Sequence, residues 1–183
     1  QFTPLLVETA NLNGIITDFI NFARPRSPKL NPCRVEDILE KNINFLSAQI
    51  EDSRYEIRKS YGTPLPDVMG DAPMLYQSFL NLFINAMQAM PDGGRIEVGV
   101  RAENGRVLVE IEDEGQGVPQ ELLDKVWAPF YTTEDKVTGL GVGIVRNIIE
   151  SHGGGVTIAN RSPRGARVTI ELPARAVETA SAA

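Results

Sequence analysis

The sequence predicts an α+β domain, on three observations. Two strongly alternating runs, Arg95 to Arg101 and Val107 to Asp113, are joined by Glu103-Asn104-Gly105, a hairpin signature. Long apolar-striped helices stand apart from them in the chain. A second pair of short alternating runs, Val156 to Asn160 and Ala166 to Leu172, lies near the end. Strands that pair as hairpins and helices that must cover one of their faces give a sheet on one side and helices on the other.

Taken in order, residues 4–23 read as a helix. Leu5, Thr9, Leu12, Ile16, Phe19 and Ala23 alternate at spacings of four and three, and Leu6 and Ile20 widen the apolar face. Such a face needs a partner, either in its own domain or on another helix. Pro25, Pro28 and Pro32 break the pattern, so Arg24 to Pro32 reads as an extended linker. Val35 to Ile50 is a helix with Ile38, Leu39, Ile43, Leu46 and Ile50 on one face, and Tyr55 to Tyr61 alternates like a strand. Asp71 to Met90 is a strong helix, capped by Asp71 and stopped by Pro91-Asp92-Gly93-Gly94. Pro119 to Val126 reads as a short helix, 128–139 as a loop and Gly141 to His152 as a helix. The chain thus divides into a helix at 1–24, a linker at 25–33, a main domain at 34–174 and a frayed tail at 175–183.

Composition narrows the function. Of 183 residues, 42% are hydrophobic and 23% charged, as in ordinary soluble domains. A net charge of −6 disfavours nucleic acid as the main partner but does not exclude ATP, which a few local cations and a metal can hold. Cys33 is the lone cysteine, which excludes an internal disulfide and a cysteine metal cluster and fits a reducing cytosol. No apolar run approaches the roughly 20 residues of a membrane helix, and no signal peptide opens the chain. Any membrane attachment is expected from segments beyond this chain.

Three glycine-containing segments stand out: Asp113-Glu114-Gly115-Gln116-Gly117, Gly139-Leu140-Gly141-Val142-Gly143, and Gly165-Ala166. None is a P-loop or a dinucleotide fingerprint. Each reads either as a turn or as a place where backbone approaches phosphate. The second opens a helix whose first N–H groups lack partners, and Arg146 follows one turn later. Asn81 and Asn85, four apart, share one face of the 71–90 helix. They either hydrogen-bond neighbouring backbone or offer an amide oxygen to Mg²⁺. Asp113 is either a turn aspartate or an acceptor for an exocyclic amine, which selects adenine over guanine. His152 precedes Gly153-Gly154-Gly155, but no Gly-x-Ser-x-Gly elbow exists, so it reads as a helix terminator and not a triad member.

In this order the segments resemble the histidine-kinase branch of the superfamily shared with gyrase, HSP90 and MutL, over about residues 5 to 173. Leu80 to Ala86 resembles the asparagine box, and Asp113 to Gly117 the first glycine box. Trp127-Ala128-Pro129-Phe130-Tyr131-Thr132-Thr133 resembles the phenylalanine box of the lid, Gly139 to Gly143 the second glycine box, and Gly165 to Thr169 the last box. The resemblance implies a two-layer α/β sandwich of the Bergerat type, with a mixed sheet packed on helices and one long helix before it. It implies ATP and Mg²⁺ as ligands, with Asn85 on the metal, Asn81 near the phosphates and Asp113 on the adenine amine. Gly115, Gly117, Phe130, Gly139, Leu140, Gly141, Gly143 and Arg146 complete the implied nucleotide site, and Thr169 would face the adenine pocket.

Two departures stand out. Glu134 occupies a place where the family often has lysine, and Lys136, two places later, either takes over a phosphate contact in the nucleotide site or leaves it unfilled. The helix 4–23 followed by Phe22-Ala23-Arg24-Pro25 resembles the second helix of the dimerisation and phosphotransfer bundle, yet no phosphoacceptor histidine motif accompanies it. The implied activity is a protein histidine kinase, of which this chain alone is expected to bind ATP without phosphorylating itself. The implied partners are a response-regulator receiver domain and a second copy joined through the helical bundle, in the cytoplasm. The alternatives are a gyrase- or MutL-like ATPase, which needs a glutamate base where Gln77 stands, and a non-catalytic interaction module with the same fold.

Overall fold

The computed structural model describes residues 27–49, 54–118 and 140–175. The predicted helix at 4–23, the short helix at 119–126, the loop at 128–139 and the tail lie outside these residues. The elements run β1 (Asn31–Cys33), α1 (Val35–Gln49), β2 (Tyr55–Tyr61), β3 (Val68–Gly70), α2 (Ala72–Gln88), β4 (Gly94–Glu103), β5 (Arg106–Glu112), α3 (Leu140–Ser151), β6 (Gly155–Asn160) and β7 (Ala166–Pro173). Five strands form one sheet in the order β2-β4-β5-β7-β6, with β2 parallel to β4 and every other pair antiparallel. The expected α+β architecture, a mixed sheet layered on helices, is what the chain forms.

The hairpin between β4 and β5 turns on Asn104 and Gly105, at φ 52° and 75°, the positive pair a two-residue primed turn requires. It sets the register Glu103↔Arg106 through Glu97↔Glu112. That register puts Ile96, Val98 and Val100 of β4 on the same face as Val107, Val109 and Ile111 of β5, all buried. Ile170 and Leu172 of β7 continue this face, and Leu39, Phe79, Phe83 and Ile149 from the three helices close over it in one core. The opposite face carries charge: Arg161 pairs with Glu112 at 2.9 Å, and Arg167 reaches the same carboxylate at 2.7 Å.

Asp71 caps α2 as expected, its side chain accepting from the Met74 amide, with proline in the first turn. The helix is buried on several sides because α1, α3 and the sheet all pack on it. Two short strands depart from the sequence reading. Residues 31–33, the end of the expected linker, form β1 and pair antiparallel with β3, Asn31 opposite Gly70. Three-residue strands show no periodicity, and Pro32 in the first argues against a strand in any pattern reading.

Candidate functional site

Three sequence motifs meet at one corner of the fold. Met74, Ser78, Asn81 and Asn85 form a stripe along α2, at spacings of four, three and four. At its start, Met74 packs with Ile144 and Ile148 of α3. The two helices run antiparallel, because His152 at the end of α3 bonds Asp71 at the start of α2. Seven residues up α2 from Met74 stands Asn81, and seven residues back along α3 from Ile148 stands Gly141. Each step is about 10 Å at 1.5 Å per residue, so the opening turn of α3, with Leu140, Gly141 and Gly143, arrives beside Asn81 and Asn85. The amides of any helix's first turn lack intrahelical acceptors, so this end suits an anion.

Asp113 reaches the same corner from the sheet. A Cβ added at Gly115 would lie 2.6 Å from the Ala89 carbonyl oxygen, so only glycine lets the segment after β5 lie against the end of α2. The Glu114 amide points at the Met90 sulfur, 3.3 Å away. Asp113 is 8% exposed. The amides of Gly115 and Ala166 donate to its Oδ1 at 2.8 and 3.2 Å, and among the described residues no donor reaches Oδ2. Oδ2 therefore keeps its acceptor capacity for a ligand. Burial pushes the Asp113 carboxyl above its ordinary 3.8, while the two amides and Arg161 pull it back.

The β6–β7 turn fastens this segment. Arg161 Nη1 donates to the Asp113 carbonyl at 2.8 Å, and Arg164 Nε donates to the Gly115 carbonyl at 3.3 Å. Asn160 accepts from the Val118 amide at 2.7 Å and donates to the Val118 carbonyl at 2.6 Å. Gly117, at φ 75°, and Gly165, at φ 105°, make room for these contacts. The glycines of the first and last boxes thus have structural reasons for being glycine.

The asparagines differ. Asn81 is buried, and the Gln77 amide donates to its Oδ1 at 3.1 Å. Asn85 is half-exposed, and its side chain has no hydrogen-bond partner among the described residues. Arg146 stands on the exposed side of α3, with Glu150 on its Nε at 2.9 Å. Thr169 does not join the corner. It pairs with Glu110 and Thr157, on the charged face of the sheet, while Val168 and Ile170 take the helix side. Ala166, three residues earlier, meets the carboxylate through its backbone amide, which no side-chain pattern reveals. Phe130, Lys136 and Gly139 lie outside the described residues. His152 is buried and ends α3, as read from the sequence.

No group of three or more His, Cys, Asp or Glu side chains able to hold a metal occurs among the described residues. A metal here must rely on few protein ligands and on the phosphates. A half-exposed neutral amide such as Asn85 fits that donor set.

A buried acceptor beside an amide stripe and a glycine-rich helix start, on a mixed sheet layered with helices, defines an ATP-binding catalytic domain. A family profile described as "Histidine kinase-, DNA gyrase B-, and HSP90-like ATPase" matches residues 70–176, and the chain belongs to that family. Sporulation kinase E of Bacillus subtilis (strain 168) is 32% identical over 175 residues, 95% of this chain and 24% of that kinase. Sensor histidine kinase ZraS of Escherichia coli (strain K12) is 28% identical over 91% of this chain and 36% of its own length. The catalytic domain of histidine kinase ThkA matches with a TM-score of 0.73 at 26% identity, covering 80% of this chain and 96% of that one. ThkA in complex with response regulator protein TrrA matches with a TM-score of 0.78 at 24% identity, covering 92% of this chain and 48% of that one. The chain is similar to the catalytic ATPase domains of sensor histidine kinases and spans about a quarter to a third of the two curated kinases.

Proposed function

We propose that the corner binds Mg·ATP, and that the chain serves as the catalytic domain of a sensor histidine kinase acting on a histidine outside this chain. The observation that carries the reading is the carboxylate of Asp113, buried with Oδ1 doubly occupied and Oδ2 open to an exocyclic amine. An adenine amine donates to such an acceptor, whereas guanine presents a carbonyl at the same place and leaves two acceptors facing each other. With the base held there, the phosphates extend toward the α3 start, where backbone amides receive them. Asn85 is the residue to hold Mg²⁺, since the Asn81 oxygen already accepts from Gln77. Magnesium, when bound, neutralises charge on the phosphates and eases phosphoryl transfer. Arg146 adds positive charge one turn into α3.

In the transfer itself, the bond from the γ-phosphorus to the bridging oxygen of the β-phosphate breaks and a bond to a histidine nitrogen forms. His152 is not that acceptor: it is the chain's only histidine, and both its ring nitrogens are engaged within the fold. The acceptor then lies on the other helix of a bundle to which residues 1–24 contribute, across a homodimer of the full protein. A response-regulator receiver domain takes the phosphoryl next; the ThkA–TrrA complex supports this class of partner. A cytoplasmic setting, where ATP is plentiful, fits this chemistry. No helix among the described residues is long and apolar enough to cross a membrane. A gyrase- or MutL-like hydrolase is disfavoured because Gln77 offers an amide where a base is needed.

Calorimetric titration with ATP and GTP, with and without Mg²⁺, tests the reading. ATP is expected to bind, GTP to bind at least about 100-fold more weakly for want of the amine, and Asn85→Ala to lose the Mg²⁺ dependence. Equal binding of both nucleotides, or of neither, would refute it.

A further inference from the structure

One buried point joins three distant parts of the chain. Asp71 is 5% exposed and its carboxylate is split between two tasks. Oδ1 accepts from the Met74 amide at 3.3 Å and caps α2. Oδ2 accepts from the Lys29 amide at 3.0 Å, across 42 residues, in the segment leading into the domain. The Asp71 amide donates to His152 Nε2 at 3.0 Å, across 81 residues, at the end of α3. His152 Nδ1 lies 2.7 Å from the Ile148 carbonyl, which can only accept, so Nδ1 carries the proton and Nε2 the lone pair. Gly70 leaves space for the ring: a Cβ there would lie 3.4 Å from His152 Cδ2 and 2.7 Å from Leu75 Cδ1.

The geometry matters because α2 and α3 are the two helices that flank the proposed phosphate site, and they are fastened here at their far ends. On this side, away from the sheet, their packing is the small group Met74, Ile144 and Ile148. A fastening of this kind sets how α3 lies along α2, and therefore where its first-turn amides stand relative to Asn81 and Asn85.

We propose that Asp71 and His152 are positioning residues that form a latch, through which the placement of the segment at Lys29 governs nucleotide affinity. The inference rests on the reading that ATP binds between the C-terminal half of α2 and the start of α3. Because coupling between two sites is reciprocal, bound nucleotide must also tighten the Lys29–Asp71 bond. Residues 1–26 join the domain through this same segment, so a change at that junction reaches the nucleotide site without touching it.

The test uses the 183-residue chain. Lys29→Pro removes the donor together with the side chain, next to Pro28 in a segment already suited to proline; Lys29→Ala removes the side chain and keeps the donor. Asp71→Asn keeps a good helix cap but has one acceptor oxygen, so it cannot serve both amides. The expected result is ATP binding weakened by about five-fold or more in Lys29→Pro and Asp71→Asn, with Lys29→Ala within about two-fold of the parent. The double variant should be no weaker than the weaker single one, since both remove the same bond. In the unmodified chain, saturating ATP should slow hydrogen exchange at the Lys29 amide. A Lys29→Pro chain that melts earlier yet binds ATP as the parent does would reduce the latch to a structural clamp and overturn the proposal, as would exchange at Lys29 that ignores ATP. Failure of the parent chain itself to bind ATP would instead overturn the site assignment, and the latch with it.

Discussion

Replacing Asp113 by asparagine separates what the residue does for the fold from what it does for a ligand. The side-chain oxygen that remains in Asp113→Asn can still accept from the Gly115 and Ala166 amides, so the wall of the site keeps its shape. At the Oδ2 position an NH₂ now faces the adenine amine, donor against donor. Losing a hydrogen bond to a charged acceptor costs about 1.5–3 kcal/mol, and leaving a buried donor unpaired adds about 1–3 kcal/mol. Together that is roughly 2.5–6 kcal/mol, or about 70-fold and upward in affinity. Stability should move the other way. Burial raises the Asp113 pKa, so folding disfavours its charged form: the carboxylate costs stability at neutral pH, and the cost is relieved as pH falls through the folded-state value, which lies above 3.8. The neutral amide avoids this cost, so Asp113→Asn should melt no lower than the parent at pH 7. Binding takes the opposite sign: protonation removes the acceptor, so ATP affinity of the parent should fall as pH drops through that raised value, and Asp113→Asn should lack this step. Calorimetry with ATP between about pH 4.5 and 8, beside thermal melts, measures both. A variant that binds ATP within about three-fold of the parent would refute the adenine assignment, and one that loses binding and stability together would make Asp113 a structural residue only.

Other outcomes follow from the packing. Gly165→Ala places a Cβ against the Asp113 carbonyl at φ 105° and should cost roughly 2–4 kcal/mol in urea unfolding, whereas Gly105→Ala, at φ 75° with open space around it, should cost about 1–2 kcal/mol. Phe79→Ala, fully buried between α2 and the sheet, should lose about 3–5 kcal/mol in the same assay. Asn160→Ala removes both bonds to Val118 at an exposed site; exchange at the Val118 amide should quicken at least about ten-fold while the melting temperature moves by only a few degrees.

What could be read without coordinates was what local pattern encodes. The Asn104-Gly105 turn, the Asp71 cap and the alternation in β2, β4 and β5 all declare themselves within a few neighbouring residues. Thr169 shows how a reading by likeness fails where parity decides: Val168, Ile170 and Leu172 alternate as apolar residues, so the residue between them faces the other way. That signal was present in the sequence. The service of Ala166 to Asp113 was not, because every residue but proline has an amide to donate. Nor was the meeting of Lys29, Asp71 and His152, which spans most of the domain and leaves no periodic trace.

The β6–β7 turn has one more consequence. Residues 160–165 make four hydrogen bonds to the 113–118 segment that follows β5, none of them directed at the proposed base. A compound built to mimic adenine would press on Asp113, yet its grip would depend on how firmly this turn holds the carboxylate in place. Selection for resistance to such a compound should therefore return changes at Asn160, Arg161 and Arg164, positions that an inhibitor designer inspecting only contact distances would pass over.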